Sequence, residues 1–379
     1  MRVLLVNPTV LDNPLVEPNL SLGYLATALR AAGHEPVILD ELKKPAHRPR
    51  DLRTYLEQQR FDAAGVHVYA MNALKARAIL RTFREVNPRG VTLLGGPYVA
   101  ATPEAAMNVV PEADYGFHAE GERGVPRLLD RLAAGALGDP TTVENLVWRD
   151  GDHVCFGPKV FEPNLDALGV PAWDLIAPAH YSMSPLGIFT QRLPLATMIT
   201  SRGCPYPCNF CTIKSITGNR TRRRSVAHVL DEIRLLKREH GVREIHFVDD
   251  HILGNPDGNQ KGPTWLTELC EAMVRERIDV TWTVPQGVRL DGLDEPLVRL
   301  MERAGCHAIG VGIESGSQRV LDAMEKKLDL ATIREKVALV RRATKIKVEG
   351  LVMLGYPGET PEEIDATIRM VQALPLSFC

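Results

Sequence analysis

Three cysteines crowd into the run SRGCPYPCNFC, residues 201–211: Cys204, Cys208 and Cys211, spaced C-x-x-x-C-x-x-C. Thiols at this density bind metal or pair as disulfides. The chain has seven cysteines, an odd number, and the other four (Cys155, Cys270, Cys306 and Cys379) are scattered. The opening MRVLLVNPTV is too short an apolar run for a secretory leader, so a disulfide framework is not expected. Four thiolates complete a structural zinc site or an iron–sulfur cube. Three thiolates on a cube leave one iron open for a substrate or cofactor. Zinc usually pairs C-x-x-C with a second pair, and the next cysteine, Cys270, lies in a helical pattern with no partner at short spacing. The spacing therefore favours a cube with one vacant corner over a zinc knuckle.

The elements around this loop must hold it. At 379 residues the chain is too long for one ordinary core, and two or three domains are expected. It is 45% apolar and 24% charged, with a net charge of -2. Those values suit a globular protein and give no general affinity for nucleic acid or an anionic membrane. No window approaches the roughly 18–20 apolar residues of a membrane span. A reducing cytoplasm is the expected location.

The first 135 residues alternate strand and helix. RVLLV, EPVILD, FDAAGVHV, VTLLGGP and ADYGFHAEGE read as strands. Between them, Leu22, Leu25, Ala26 and Leu29 share one helical face, as do Ala76, Ile79, Leu80 and Phe83. This predicts a flavodoxin-like, doubly wound parallel sheet over 1–135. Residues 136–194 read as a proline-rich linker with a small hairpin turning at Asp150-Gly151. From 195 to 379 strands return at LATMIT, EIHFVD, DVTWTV, HAIGVGI and VEGLVML, with helices at 226–239, 264–277, 294–304, 317–342 and 361–373. The series predicts a partial (βα)6-type barrel whose ligands sit at the strand C-terminal ends. LPLSFC begins a sixth strand, and the barrel reads as truncated after it.

RGCPYPCNFC, with Phe210 before the last cysteine, resembles the signature of the radical S-adenosylmethionine enzymes. The resemblance implies a [4Fe-4S] cluster on Cys204, Cys208 and Cys211. In that family the open iron chelates the amino and carboxylate groups of S-adenosylmethionine. One electron then cleaves the sulfonium to a 5′-deoxyadenosyl radical that takes hydrogen from unactivated carbon. The other strand ends follow the family pattern. Asp249 and Asp250 fall where the methionine amino group is received, and a strand points only one of them inward. Gln286 ends the third strand. Glu314 and Ser315 match the ribose position, and Gly355 the adenine position. The arginine run NRTRRRS reads as a solvated face with Ser225 as N-cap; the alternative is that an arginine meets a carboxylate or phosphate near the cluster.

The N-terminal half resembles the cobalamin domain of a subfamily, the cobalamin-binding radical S-adenosylmethionine enzymes, through PNLSLGYLATALRAAGHEPVILD, LLGGP and DYGFHAEGE in that order. By this resemblance the cobalamin-facing residues are Asn72, Gly95, Gly96, Pro97, Gly116, Glu120 and Gly121. The D-x-H-x-x-G string that places histidine on cobalt in many cobalamin proteins does not occur. His34, His67 and His118 are isolated and read as ordinary histidines, so cobalamin is expected without a protein histidine on cobalt.

The implied activity is methylation of an unactivated carbon or phosphorus centre in a small-molecule, lipid or natural-product substrate. A second S-adenosylmethionine would restore the methyl group, and a flavodoxin or ferredoxin would supply electrons. Oxidation, cyclisation or rearrangement without methyl transfer is the alternative, and a non-catalytic corrinoid or iron–sulfur sensor the third reading. Methylthiolation is disfavoured, because it needs a second cluster and the first 154 residues contain no cysteine.

Overall fold

The run Arg2–Asn7 forms strand β1 because its residues are apolar on both faces, as a strand sandwiched between helices requires. The computed structural model describes residues 1–9, 17–182, 190–253 and 264–379. The predicted loop after the first strand lies partly outside the described residues, at 10–16. The chain forms two compact units, Met1–Ser184 with Ser215–Thr217, and Pro185–Lys214 with Gly218–Cys379.

In the first unit β1 is joined by β2 (Glu35–Asp40), β3 (Ala63–His67), β4 (Val91–Gly95), β5 (Tyr115–Phe117), β6 (Leu146–Asp150) and β7 (His153–Phe156). The sheet order is β2-β1-β3-β4-β5-β6-β7. The first five strands are parallel and the last two antiparallel. The order 2-1-3-4-5 is that of a flavodoxin-like sheet and places its switch point between β1 and β3. Helix Leu20–Ala31 starts where Asn19 accepts from the Leu22 amide at 3.0 Å, and stops before Gly33 at φ +80°. Helix Ala73–Val86 buries Ala76, Ile79, Leu80 and Phe83 against Leu4, Val66 and Leu94.

The hairpin turns at Gly151, as its sequence predicts, but it is not part of a linker. β6 pairs with β5 and extends the sheet. The proline-rich segment after it is also bound to this unit. Tyr181 donates to the buried Asp40 at 2.9 Å, Asn7 donates to the same carboxylate at 2.9 Å, and Lys43 Nζ donates to Leu175 O at 2.8 Å. Gly23 lies so close to Pro171 and Ile176 that a Cβ there would stand within 2.8 Å of both.

The second unit holds β8 (Leu195–Met198), a two-residue ribbon of β9 (Ser201–Arg202) and β10 (Arg222–Arg223), then β11 (Glu244–Phe247), β12 (Thr281–Val288), β13 (Cys306–Glu314) and β14 (Lys347–Val352). The main sheet runs β8-β11-β12-β13-β14, every neighbour parallel. Gly350 donates to Phe378 O at 3.0 Å, and Glu349 bridges Phe378 in parallel, so a sixth strand begins where LPLSFC predicts it. The predicted helix 317–342 is two helices, Gln318–Ala323 and Leu330–Ala343. Glu325 and Lys327 between them take left-handed φ of 54° and 53°, and Asp329 caps the second helix through the Thr332 amide at 2.8 Å.

Polar groups fill the strand N-terminal ends. Glu244, at 0% exposure, accepts from the Gln191 and Arg192 amides at 2.9 and 2.7 Å and from Thr281 Oγ1 at 2.8 Å. It also meets His246 Nε2 at 3.1 Å and His307 Nε2 at 3.2 Å. Burial alone would raise its carboxyl. The hydrogen bonds from His246, His307, Thr281 and the Arg192 amide outweigh burial and hold it well below the usual carboxylate range. Glu244→Ala strips all five partners at once and is expected to cost about 3–5 kcal/mol, read from the urea midpoint of this unit. Because the folded carboxyl is depressed, its contribution is present above the ordinary glutamate value and lost as pH falls through it toward the folded value. The wild type–variant difference should therefore shrink on acidification.

Candidate functional site

The strand C-terminal ends of the second unit surround a cleft of about 210 Å³. Cys204, Cys208 and Cys211 line it together with Asp250, Gln286, Glu314 and Lys326. The cysteine loop is fastened by groups other than its thiols. Gly203, at φ +90°, donates to Asp250 Oδ2 at 2.8 Å where the loop leaves β9. The Cys204 amide donates to Gly218 O at 3.3 Å, and the Cys211 amide to Cys208 O at 3.3 Å. Asn209 donates through its amide to Met324 O at 3.1 Å and through Nδ2 to Ala323 O at 2.8 Å. The Tyr356 hydroxyl meets Asn209 Oδ1 at 3.1 Å and Ala323 O at 3.0 Å. Tyr206 lies against the His251 ring at 5.2 Å between centroids and beneath the Arg289 guanidinium at 3.7 Å.

The donor set decides which metal group fits. Three thiols share the cleft. Yet among the described residues no three His, Cys, Asp or Glu side chains stand close enough to hold one ion. Thiols spaced around a common opening suit a cluster, whose several irons keep its ligands apart, better than a single zinc. Burial raises the Cys204 and Cys211 thiols above their ordinary value, so a metal group bound there would have to displace their protons.

The structure resolves the two aspartates. Asp250 lines the cleft. Asp249 is turned away and buried, accepting from the Thr200 amide at 3.0 Å, Thr200 Oγ1 at 2.7 Å and Ser201 Oγ at 2.6 Å. Gln286 and Glu314 reach the cleft, while Ser315 does not. Ser315 is buried, accepts from the Ser317 amide at 3.1 Å and sits 3.3 Å from Thr367 Oγ1. Gly355, at φ +82°, lies in the exposed turn after β14, its amide on Glu359 at 2.6 Å, and is not among the cleft-lining residues. In the arginine run, Ser225 caps its helix through the His228 amide at 3.2 Å, and Arg224 pairs with Glu232 inside the core.

One cleft residue escaped sequence reasoning. Lys326, whose Nζ lies 2.7 Å from Glu314 Oε1, fell inside the predicted long helix. The signal that could have found it is Asp329, three residues before Thr332, which marks a new helix start. Arg289, just past the third strand, meets Asp291 nearby, but its other partners, Tyr206, Lys326 and Lys327, come from distant chain.

In the first unit the switch point is closed by Asn72, which is buried, accepts from the Tyr69 amide at 2.8 Å and donates to Pro8 O at 3.4 Å across the crevice. Gly95 has open space where a side chain would stand. Gly96, at φ +107°, brings its Cα so near Val68 that a Cβ would lie 2.9 Å from that backbone. Pro97 opens helix Pro97–Ala101. Beside them Tyr69, Met71 and Leu74 are exposed. That edge, small backbone beside bare apolar surface, fits a large flat ligand. Gly116 does not face it: a side chain there would strike Met107, Val147 and Val99 inside the core. In the loop after β5, Glu120 accepts from the Glu162 amide at 2.8 Å and Gly121 packs against Val125.

These features define a two-domain α/β enzyme: a doubly wound sheet with a cofactor edge, and a partial barrel with a three-thiol cluster cleft. Residues 9–129 match the B12 binding domain, and residues 198–371 the radical SAM superfamily. The chain belongs to the cobalamin-binding radical S-adenosylmethionine enzymes, which work with a [4Fe-4S] cluster, S-adenosylmethionine and cobalamin. It is 28% identical to an uncharacterised methyltransferase of Pyrococcus horikoshii, over 95% of this chain and 74% of that one. It is 28% identical to cytidylyl-2-hydroxyethylphosphonate methyltransferase of Streptomyces wedmorensis, over 97% and 76%. Its fold matches that of the radical S-adenosylmethionine methyltransferase TsrM from Kitasatospora setae, with a TM-score of 0.76 at 22% identity, over 100% of this chain and 74% of that one. No helix among the described residues is long and apolar enough to cross a membrane.

The two aspartates should separate in experiment. Asp249→Ala leaves the buried Thr200 amide and hydroxyl without an acceptor and Ser201 Oγ with only His251 O, and is expected to cost about 2–3 kcal/mol in chemical denaturation. Asp250→Ala, at the cleft surface, should change the midpoint by less than about 1 kcal/mol.

Proposed function

We propose that the protein transfers a methyl group to an unactivated carbon or phosphorus centre of a small-molecule, lipid or natural-product substrate. The observation that carries this reading is the pairing, in one chain, of a three-thiol cleft with a cobalamin-binding sheet. When bound, the cluster and S-adenosylmethionine supply a radical, and cobalamin supplies a methyl group in a form that a non-nucleophilic centre accepts. Two of the relatives are methyltransferases, one of them acting on a phosphonate by its name.

The chain's own residues bind and orient. Cys204, Cys208 and Cys211 hold three cluster corners. Asp250, on the same wall, receives the methionine amino group, and its bond to the Gly203 amide ties that contact to the cysteine loop. Gln286 and Glu314 face the nucleoside hydroxyls. Lys326 aims the Glu314 carboxylate through their ion pair at 2.7 Å. Phe210, Val288 and Leu351 give the cleft an apolar lining that excludes water. An external donor such as flavodoxin or ferredoxin supplies electrons, and a reducing cytoplasm keeps the thiols available.

In the first unit Gly95, Gly96 and Pro97 form the cobalamin edge. Cobalamin held there would be expected to lack a protein histidine on cobalt. His67 and His118 are buried, packed against Tyr69 and Phe156, and His34 is buried with Nδ1 3.2 Å from the N-terminal amine. Spectra of the cobalamin-loaded protein are expected to lack histidine–cobalt coordination; its presence would contradict this assignment. Gly95→Leu should fold normally, since nothing occupies that space, yet lose cobalamin binding at least tenfold.

The activity is tested anaerobically on the protein reconstituted with iron, sulfide and hydroxocobalamin. S-adenosylmethionine, a reductant and candidate phosphonates, tetrapyrroles and indoles are added. The expected result is 5′-deoxyadenosine together with a product heavier by one CH₂ unit. Cleavage with only oxidised or rearranged product would replace methyl transfer by the other radical outcome. Tight cofactor binding without cleavage would make the protein a sensor.

A further inference from the structure

Arg289 leaves β12 with only 8% of its side chain exposed, and each of its three nitrogens is engaged. Nη1 donates to Lys326 O at 2.8 Å, Nη2 to Lys327 O at 2.5 Å, and Nε to Asp291 Oδ2 at 3.0 Å. The guanidinium face lies 3.7 Å from the centre of the Tyr206 ring, midway between Cys204 and Cys208 in the chain. One side chain thus touches three segments far apart in sequence: the cysteine loop, the end of β12 and the turn Glu325–Lys327.

That turn is held only in part from within: the Glu325 amide donates to Asp322 O and the Lys326 amide to Leu321 O, each at 3.0 Å, closing the end of helix Gln318–Ala323. Glu325 and Lys327 both sit at left-handed φ, which residues with a Cβ adopt only when something over-determines them. Glu314, which Lys326 reaches, is a third such residue at φ +62°. The planar fork of arginine caps two successive carbonyls, which pins the peptides on either side of Lys327 and holds the backbone that carries the Lys326 ammonium. Stacking on Tyr206 uses the guanidinium face that the hydrogen bonds leave free. Asp291 pairs with the guanidinium, so the strap brings no net charge to the cleft wall.

We propose that Arg289 is a positioning residue that locks the cysteine loop, through Tyr206, to the Glu314–Lys326 pair, so that the cluster and the nucleoside wall are set in register by one side chain. The proposal rests on the reading that this cleft binds S-adenosylmethionine across an open iron. It assigns Arg289 no contact with the ligand. Its removal should leave three thiols able to hold a cluster while loosening the wall opposite them.

The test compares Arg289→Ala, Arg289→Lys, Tyr206→Leu and the Arg289→Ala/Tyr206→Leu double variant with wild type, all reconstituted anaerobically. Iron and sulfide are counted, S-adenosylmethionine binding is titrated, and the EPR signal of the reduced cluster is recorded with and without it. Iron should stay near wild type throughout. Affinity for S-adenosylmethionine should fall at least tenfold in Arg289→Ala and in Tyr206→Leu, and the change it induces in the EPR signal should shrink. The double variant should be no worse than the weaker single one, because both break the same strap. Arg289→Lys, which keeps the charge and some stacking but cannot cap two carbonyls, should recover only part of the affinity. Binding within twofold of wild type in Arg289→Ala, or losses that multiply in the double variant, would overturn the proposal. Wild-type protein that assembles a cluster but ignores S-adenosylmethionine would instead overturn the functional reading beneath it.

Discussion

Cys204, Cys208 and Cys211 face one cleft because the loop that carries them is held by groups other than its thiols. Here the loop is anchored by backbone and side-chain hydrogen bonds at Gly203, Cys204 and Asn209, and by the ring contacts of Tyr206. Apart from Gly218, which meets the Cys204 amide, the anchors come from successive strand ends. Asp250 belongs to the segment after β11, Arg289 to β12, Met324 to the segment after β13 and Tyr356 to the segment after β14. A parallel sheet delivers those ends to one rim, and this is why chemistry on such a scaffold collects there. The cost is a set of strained or buried polar positions, of which Glu314 at positive φ is one.

The neighbouring aspartates show how burial divides labour between adjacent residues. Asp249 has three hydrogen bonds from Thr200 and Ser201, at the point where β8 gives way to the cysteine loop. Asp250 faces outward into the cleft and takes the Gly203 amide. One carboxylate shapes the approach to the loop from beneath, and the other meets it at the surface. At the opposite end of the same strands Glu244 gathers two histidines and two amides with no opening to solvent. The same residue type therefore acts on stability at one end of the sheet and on ligand at the other, as strand polarity in parallel folds dictates.

In the first unit the constraint is backbone approach. Gly96 lets β4 and Val68 come close enough that any side chain would collide, and Gly95 leaves room above them. The polar knot of Asn7, Asp40 and Tyr181 holds the proline-rich segment to the same sheet, so this segment serves as structure and not as tether.

Much of this was legible in order along the chain. The five N-terminal strands, the hairpin at Gly151, the Ser225 cap and the start of a sixth barrel strand follow from apolar periodicity and turn chemistry, which are local. The metal-binding loop was legible because three thiols within eight positions have few other uses. The choice between Asp249 and Asp250 was not, since it depends on how a strand end twists. Nor was the break at 324–329, because propensity alone continues that helix and tertiary hydrogen bonds from Arg289 favour the turn.

The sequence by itself determined which elements form, in what order, and which cofactor chemistry the cysteine spacing permits, because these depend on neighbours within a few residues. Only the tertiary structure decided which carboxylate meets the cleft, that Gly116 and Ser315 belong to the interior, and that Arg289 joins three distant segments. Those outcomes depend on contacts between residues tens of positions apart, where packing and the pairing of buried charge outweigh local preference.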